Sequence, residues 1–135
     1  MKIHIAKKDS FEILASHDQH VRKEVLDQSI IRGNVIIAEE HGELLGWLRY
    51  NLFWDNTPFM NMLYVLEKEQ GKGIGKQLVE YWEKLMESKG YHMVMTSTQS
   101  DEYAQHFYQK LGYQAVGGFL LRDEPYEIIL NKYLK

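Results

Sequence analysis

Residues 63–90 read LYVLEKEQGKGIGKQLVEYWEKLMESKG. An apolar strand, a glycine-rich turn over 70–75 and an amphipathic helix follow one another in this stretch. The glycines of the turn stand at alternate positions, which lets the backbone approach a ligand without Cβ atoms in the way. The free N–H groups at the start of the helix favour an anion, and Lys72 and Lys76 add positive charge. The turn therefore predicts a ligand that carries phosphate.

The spacing within the turn separates the known phosphate-binding patterns. A P-loop requires a glycine where this chain has Gln70, and a serine or threonine where it has Gln77. A dinucleotide fingerprint requires a third glycine where Lys76 stands. The pattern Q-x-x-G-x-G, formed by Gln70, Gly73 and Gly75, instead resembles the [QR]-x-x-G-x-[GA] acetyl-CoA loop of the GNAT superfamily of N-acetyltransferases.

Length and composition limit the other classes of function. The chain has 135 residues, of which 44% are hydrophobic. We therefore expect residues 1–135 to form a single domain that buries a core without the help of disulfides or metal ions. The net charge is −3 and the basic residues are scattered, so we expect neither a nucleic-acid nor a membrane partner. The chain lacks cysteine, an apolar run of membrane-spanning length and a leader segment, which together predict a cytoplasmic protein without a thiolate site. His17 and His20 lack companion carboxylates, so we expect no metal.

Hydrophobic periodicity and turn residues predict the elements of the whole chain. In order, these are a strand at 2–6, a helix from Asp9, a helix at 17–31, strands at 34–39 and 43–53, a loop at 54–58, a strand at 62–66, a helix at 74–89, a strand at 91–96, a short helix after Ser100, and strands at 113–121 and 126–134. Asp9 and Glu12 have the spacing of a capping box, and Ser100 is the expected N-cap of the short helix. The apolar stripe of helix 74–89 is expected to be core.

This element order is that of the GNAT fold, and a second motif agrees with it. Ala104, Phe107, Tyr108, Gly112 and Tyr113 are similar to the A-x-x-F-Y-x-x-x-G-[FY] segment of the family. The resemblance implies an α/β (α+β) fold, a single GNAT-like domain with a central mixed, mostly antiparallel twisted sheet of about seven strands and about four flanking helices. Because many relatives are homodimers, the last two strands could also supply an interface between two copies.

The activity that the resemblance implies is acetyl transfer from acetyl-CoA, as co-substrate, to a primary amine by direct attack in a ternary complex. The residues assigned to the cofactor are Leu63, Tyr64, Val65, Gln70, Gly71, Lys72, Gly73, Ile74, Gly75 and Lys76. In the family, the tyrosine that matches Tyr108 points at the sulfur of coenzyme A. A phenol with a pKa near 10 stays protonated beside a thiol with a pKa near 8.5, so Tyr108 is the candidate general acid.

The general base and the acceptor site have weaker signals. Several relatives carry a glutamate on the central strand, whereas residues 59–61 of this chain are phenylalanine, methionine and asparagine. Asp55 or Glu39 could act through a water molecule instead. Trp54, Phe59 and Glu124 could line a pocket for a cationic amine with an apolar portion.

Two other hypotheses about the function of the same residues stay open. A GNAT-like module could bind acetyl-CoA or another acyl-CoA without turnover. The missing strand carboxylate favours this reading, as does Asp101, which stands where many relatives carry an asparagine. A more distant reading is a nucleotide-binding scaffold, which predicts that ATP or NAD binds better than coenzyme A.

Overall fold

The computed structural model describes all residues from 1 to 135, in seven strands and four helices. The strands are β1 (Lys2–Ile5), β2 (Val35–Glu40), β3 (Glu43–Phe53), β4 (Thr57–Val65), β5 (Met93–Gln99), β6 (Gln114–Phe119) and β7 (Glu127–Tyr133). The helices are α1 (Phe11–His17), α2 (Lys23–Ile31), α3 (Ile74–Ser88) and α4 (Ala104–Lys110). The predicted element order is confirmed.

The strands form one sheet in the order β1-β2-β3-β4-β5-β7-β6. The pairs β1·β2, β2·β3, β5·β7 and β6·β7 are antiparallel, and β4 pairs with β5 in parallel. The predicted mixed, mostly antiparallel sheet of seven strands with four helices is therefore confirmed. No helix of the chain is both long enough and apolar enough to cross a membrane.

By packing, the chain divides into two compact units, and the first contains residues 1–51 and 62–82. Helices α1 and α2 bury Leu14, Leu26 and Ile30 in a core that β2 and β3 complete. In the part of α3 that belongs to this unit, the apolar stripe is buried, as predicted, with Leu78, Val79 and Trp82 fully inaccessible. That residues 1–135 form one domain stays a prediction.

The second unit contains residues 52–61 and 83–135. Strand β7 lies between β5 and β6, and its Leu130 is fully buried. Glu83, near the end of α3, accepts hydrogen bonds from the Tyr113 hydroxyl (2.8 Å) and from Lys132 Nζ (2.9 Å). These contacts tie α3 and the segment after α4 to the central strand of this unit.

Several predicted boundaries were wrong. The helix predicted at 17–31 begins only at Lys23, because Asp18 turns inward to buried partners on β3. The capping box of Asp9 and Glu12 does not form, since Ser10 is the N-cap of α1 and makes no side-chain capping bond.

Two later boundaries also differ from the prediction. Ser100 does not cap α4, because the helix starts four residues later, at Ala104. The N–H of Ser100 donates to the Tyr126 carbonyl. The loop predicted at 54–58 is a tight turn, and β4 begins already at Thr57.

Candidate active site

The glycine turn before α3 has the backbone conformation that its sequence predicts. Gly71 and Gly73 have φ values of +82° and +83°, in the left-handed region where residues with a Cβ are strained. A Cβ added at either position would have no atom within 4 Å. Glycine is thus required here by the backbone, and the space above both residues is open to a ligand.

Free donors point from the first turn of α3. Gln77 is the first residue of α3 whose N–H donates to a carbonyl of the preceding turn, that of Gly73, at 3.1 Å. The N–H groups of residues 74–76 therefore have no acceptor within the helix, and they lie at its positive dipole end. Such a helix start binds phosphate or carboxylate groups.

Side chains of the turn hold its shape. Gln70 Nε2 donates to the Val65 carbonyl at 2.9 Å, which ties the start of the turn to the end of β4. Lys72 Nζ forms an ion pair with Glu69 at 3.1 Å, so its charge is partly neutralised. Lys76 makes no ion pair and is the cation of the turn with its full charge available.

The end of β4 lies unusually close to β3. A Cβ built on Gly46 would lie 2.7 Å from the Tyr64 carbonyl oxygen, and the Leu66 N–H donates to the Leu45 carbonyl at 2.8 Å. Only glycine permits this approach without a shift of one strand. Gly46 therefore permits the close approach of β3 to the end of β4, a role that the sequence alone did not indicate.

Strands β4 and β5 run in parallel where Phe59 lies opposite Met95 and Met60 lies opposite Thr96. At the second of these pairs, Thr96 Oγ1 donates to the Met60 carbonyl at 3.0 Å. A buried side chain thus satisfies a backbone acceptor of β4 within the second unit.

Tyr108 is a buried phenol on α4. Its hydroxyl lies 4.0 Å from Met60 Sδ, and the ring packs edge-on against Tyr113 with centroids 5.6 Å apart. Burial raises the pKa of Tyr108 to about 12; the Thr96 hydroxyl lowers this pKa and the Glu102 charge raises it, both to a smaller extent. The phenol therefore remains protonated at neutral pH and can donate a proton.

The turn between β3 and β4 is strained and carries an exposed aromatic residue. Trp54 and Asp55 both have positive φ values, +54° and +62°, without being glycine. Trp54 is 80% exposed, and its ring is tilted against that of Phe53 with centroids 4.7 Å apart. The centroid of the Phe53 ring lies 5.9 Å from that of Phe59. Non-glycine residues held in this region cluster at functional sites, where the strain is retained.

The predicted base and acceptor residues are not all free. Glu39 Oε1 lies 3.2 Å from His4 Nε2, so this carboxylate is paired on the β1 side of the sheet. Glu124 accepts a hydrogen bond from Gln99 Nε2 at 3.1 Å. Asp55 is exposed to solvent. Phe59 lies against Phe53 with ring centroids 5.9 Å apart, and its role in an acceptor pocket stays a prediction.

Sequence reasoning missed a buried ion pair of the first unit. Asp18 accepts hydrogen bonds from Arg49 Nε at 2.9 Å and from Trp47 Nε1 at 3.2 Å, and all three side chains are buried. No local pattern marks Asp18, because its partners lie 29 and 31 residues away.

The fold and the glycine turn together define the structural class of the protein. It is an α/β protein in which a glycine turn joins the fourth strand of a mixed sheet to the third helix. The profile of the Acetyltransferase (GNAT) family matches residues 4–113, and the chain belongs to this family. No curated protein matches the sequence.

Solved structures share the fold at low sequence identity. A GNAT-family acetyltransferase from Bacillus cereus superposes with a TM-score of 0.80 at 22% identity, over 99% of this chain and 97% of that one. The yncA protein of Salmonella typhimurium, solved with its cofactor acetyl-CoA, superposes with a TM-score of 0.83 at 16% sequence identity, over 100% of this chain and 94% of that one. An aminoglycoside 6'-N-acetyltransferase complexed with coenzyme A superposes with a TM-score of 0.81 at 18% identity, over 98% of this chain and 97% of that one.

Proposed function

We propose that this chain is an acetyl-CoA-dependent N-acetyltransferase that acetylates a primary amine by direct attack. The observation that carries the proposal is the open turn at Gly71 and Gly73, with the free N–H groups of residues 74–76 beside it. A diphosphate fits this arrangement, because its charge meets a helix dipole, three backbone donors and the Lys76 ammonium. Coenzyme A carries such a diphosphate, and it is present in structures that this chain resembles.

The strand backbone at residues 63–65 would bind the extended arm of the cofactor. These residues form the end of strand β4, and their backbone groups would pair with amides of the ligand as those of an added strand do. A backbone N–H in this segment would also polarise the acetyl carbonyl and stabilise the charge that develops on its oxygen. Side-chain identity matters little for this role.

Acetyl-CoA supplies a thioester, which an amine can attack. The amine nitrogen forms a bond to the acetyl carbon as the carbon–sulfur bond breaks, and the products are an amide and a free thiol. Tyr108 gives its hydroxyl proton to the departing sulfur and recovers it from solvent. Burial keeps the phenol fully protonated before each turnover, while its raised pKa makes it a weaker acid than a free tyrosine.

The amine has to lose a proton as the bond to carbon forms. We propose that Asp55 accepts this proton through a water molecule, since it is exposed and unpaired, whereas Glu39 is held by His4. The strained turn carries the exposed Trp54 ring and the exposed Asp55 carboxylate as consecutive residues. An aromatic ring and a carboxylate in one turn favour a cationic amine with an apolar portion.

A second candidate function is binding of acetyl-CoA without turnover. It is favoured by the absence of a carboxylate at residues 59–61 of β4 and by the exposed position of Asp55. Turnover separates the two candidates. Because the chain has no cysteine, a thiol-reactive dye reports released coenzyme A without a protein background.

The first experiment is a calorimetric titration with acetyl-CoA, with ATP and NAD as controls, followed by a screen of amines with the dye assay. We expect micromolar binding that is specific to acetyl-CoA. Gly73→Glu should abolish it, because a carboxylate would occupy the space and repel the diphosphate. Gly90→Glu is the matched control, since Gly90 also has a positive φ and open space but ends α3. Equal binding by both variants would disprove the assignment of the turn.

A further inference from the structure

A groove with a volume of about 800 Å³ lies in the first unit, between α1 and the hairpin of β2 and β3. Sites that bind small molecules have volumes of this order. The segment directly after β4 forms a further wall of the groove. Residues 70–76 of the glycine turn do not line it, so the groove is separate from the proposed cofactor site.

Aliphatic side chains from three elements form the apolar part of the groove. Ile13 lies on α1, Leu44 is the second residue of β3, and Leu66 follows β4. Leu44 and Leu66 pack against the core of the unit, so their positions are fixed, whereas Ile13 is 45% exposed. Covering such a surface with an apolar group removes it from water and favours binding. The groove therefore suits a ligand with an apolar portion.

The charged groups of the groove have an excess of negative charge. Three carboxylates line it, those of Asp9, Glu39 and Glu43, against the one ammonium of Lys68. Glu39 is paired with His4. Asp9 and Glu43 form no ion pair, and they lie on different walls, before α1 and at the start of β3. A positive group in the groove is attracted by both.

We propose that this groove is a second ligand site of the chain, which binds an alkylammonium ion. The alkyl chain covers Ile13, Leu44 and Leu66, and the ammonium group donates hydrogen bonds to the free carboxylates of Asp9 and Glu43. The Lys68 ammonium opposes the ligand charge and lowers the affinity. An anion with the same alkyl chain is repelled. This site goes beyond the proposed function, because it requires neither acetyl-CoA nor turnover.

The test is a titration of the unliganded chain with hexylammonium at neutral pH, followed by ¹H–¹⁵N NMR spectra. Hexylammonium is positively charged under these conditions, as a lysine side chain is. We expect saturable shifts of the amide signals of Ile13, His17, Leu44 and Leu66, with a dissociation constant of about 1 mM for so small a ligand. Hexanoate has a chain of the same length and a negative charge, and it should not shift these signals.

Charge variants that keep the shape of each side chain test which groups hold the ammonium. Glu43→Gln and Asp9→Asn should each raise the dissociation constant about two- to fivefold, the range for an exposed ion pair. Lys68→Gln should lower it by a similar factor, because a repulsive charge is removed, whereas a loss of structure would raise it. Glu12→Gln is the matched control, since Glu12 is an exposed carboxylate of α1 that does not line the groove.

Groove amides without a saturable shift up to about 20 mM hexylammonium would overturn the proposal. So would equal binding of hexanoate, or an unchanged dissociation constant in all three groove variants. Shifts confined to residues 54–59 would place the amine at the acceptor turn of the proposed function and would likewise overturn the groove as its site. Because no acetyl-CoA is present, this proposal and the enzymatic one fail separately.

Discussion

A buried carboxylate of the first unit, Asp18, and a buried phenol of the second, Tyr108, have their hydrogen bonds satisfied in opposite ways. In the first unit, the Asp18 carboxylate receives donors from Arg49, Trp47 and the His20 backbone, so its charge is fully compensated. In the second unit, the Tyr108 hydroxyl has only a weak sulfur acceptor at 4.0 Å and the nearby Thr96 hydroxyl. The complete hydrogen-bond network of Asp18 holds the surrounding structure in place. The Tyr108 hydroxyl, which is incompletely hydrogen-bonded, can still donate its proton to a ligand.

The comparison explains why the two residues differ in what they can do. Asp18 fixes the connection between α1 and α2 against β3, because every partner has to be in position for the charge to stay buried. Tyr108 is neutral, so its burial costs less, and its raised pKa keeps it neutral. We therefore expect replacement of Asp18 to act on stability and replacement of Tyr108 to act on turnover.

The largest expected effect is that of Asp18→Ala on stability. Removal of one partner leaves the Arg49 guanidinium buried without a counter-charge, which costs about 3–5 kcal/mol of unfolding free energy. Urea denaturation followed by circular dichroism measures the change. Glu24→Ala is the control, because Glu24 pairs with Arg22 on the surface and both side chains are more than two-thirds exposed. Equal loss in both variants would remove the distinction between the units.

The next effect is that of Tyr108→Phe on turnover. Loss of a general acid lowers the rate by about 10²-fold or more, whereas the ring and its contacts with Tyr113 remain. Acetyl-CoA affinity by calorimetry should be unchanged. Tyr103→Phe removes the hydroxyl of an exposed tyrosine one residue before α4 and should leave the rate as it is. Wild-type turnover in Tyr108→Phe at every pH from 7 to 10 would rule out the acid role.

A smaller effect is expected from Thr96→Val, which keeps the shape of the side chain. The Met60 carbonyl loses its side-chain donor, at a cost of about 1–3 kcal/mol in unfolding free energy. Thr57→Val is the matched control, since the Thr57 hydroxyl bonds only to Asn56 on the surface. The Tyr108 phenolate also loses a donor, so the pKa of this tyrosine should rise further in the Thr96 variant.

The smallest effect concerns the dependence of stability on pH. Tyr108 titrates near pH 10 in the unfolded chain and near 12 in the folded one, so the folded state binds its proton more tightly. Its contribution to stability is complete below pH 10 and is lost as the pH rises toward 12. At pH 11 the loss is about 1 kcal/mol. We expect Tyr108→Phe to show a shallower fall in unfolding free energy between pH 9 and 11 than the wild-type chain.

The features that the sequence predicted depend on neighbours along the chain. The stripe of α3, the turn at Gly71 and Gly73 and the order of the elements follow from local spacing, and the fold confirms them. The inward turn of Asp18 depends on Arg49, 31 residues later, and no local periodicity contains that contact. For the same reason the helix predicted from residue 17 was too long.

The candidate site was predictable to a similar extent. Its glycines are visible in the sequence because glycine is the residue that most readily adopts a positive φ. Trp54 and Asp55 also have positive φ values, but their residue types do not indicate this conformation. Gly46 is needed because β4 lies close to β3, which becomes visible only when both strands are in place.

Gly117 and Gly118 stand side by side, but only one of them is required to be glycine by its surroundings. At position 118 any side chain would collide with the Glu127 carbonyl oxygen and the Tyr126 ring, so variation there is limited by folding itself. At position 117 a Cβ would meet no atom within 4 Å, so the fold leaves room for a small side chain. Among variants of this sequence that still fold, residue 118 should therefore stay glycine, whereas residue 117 should be free to change.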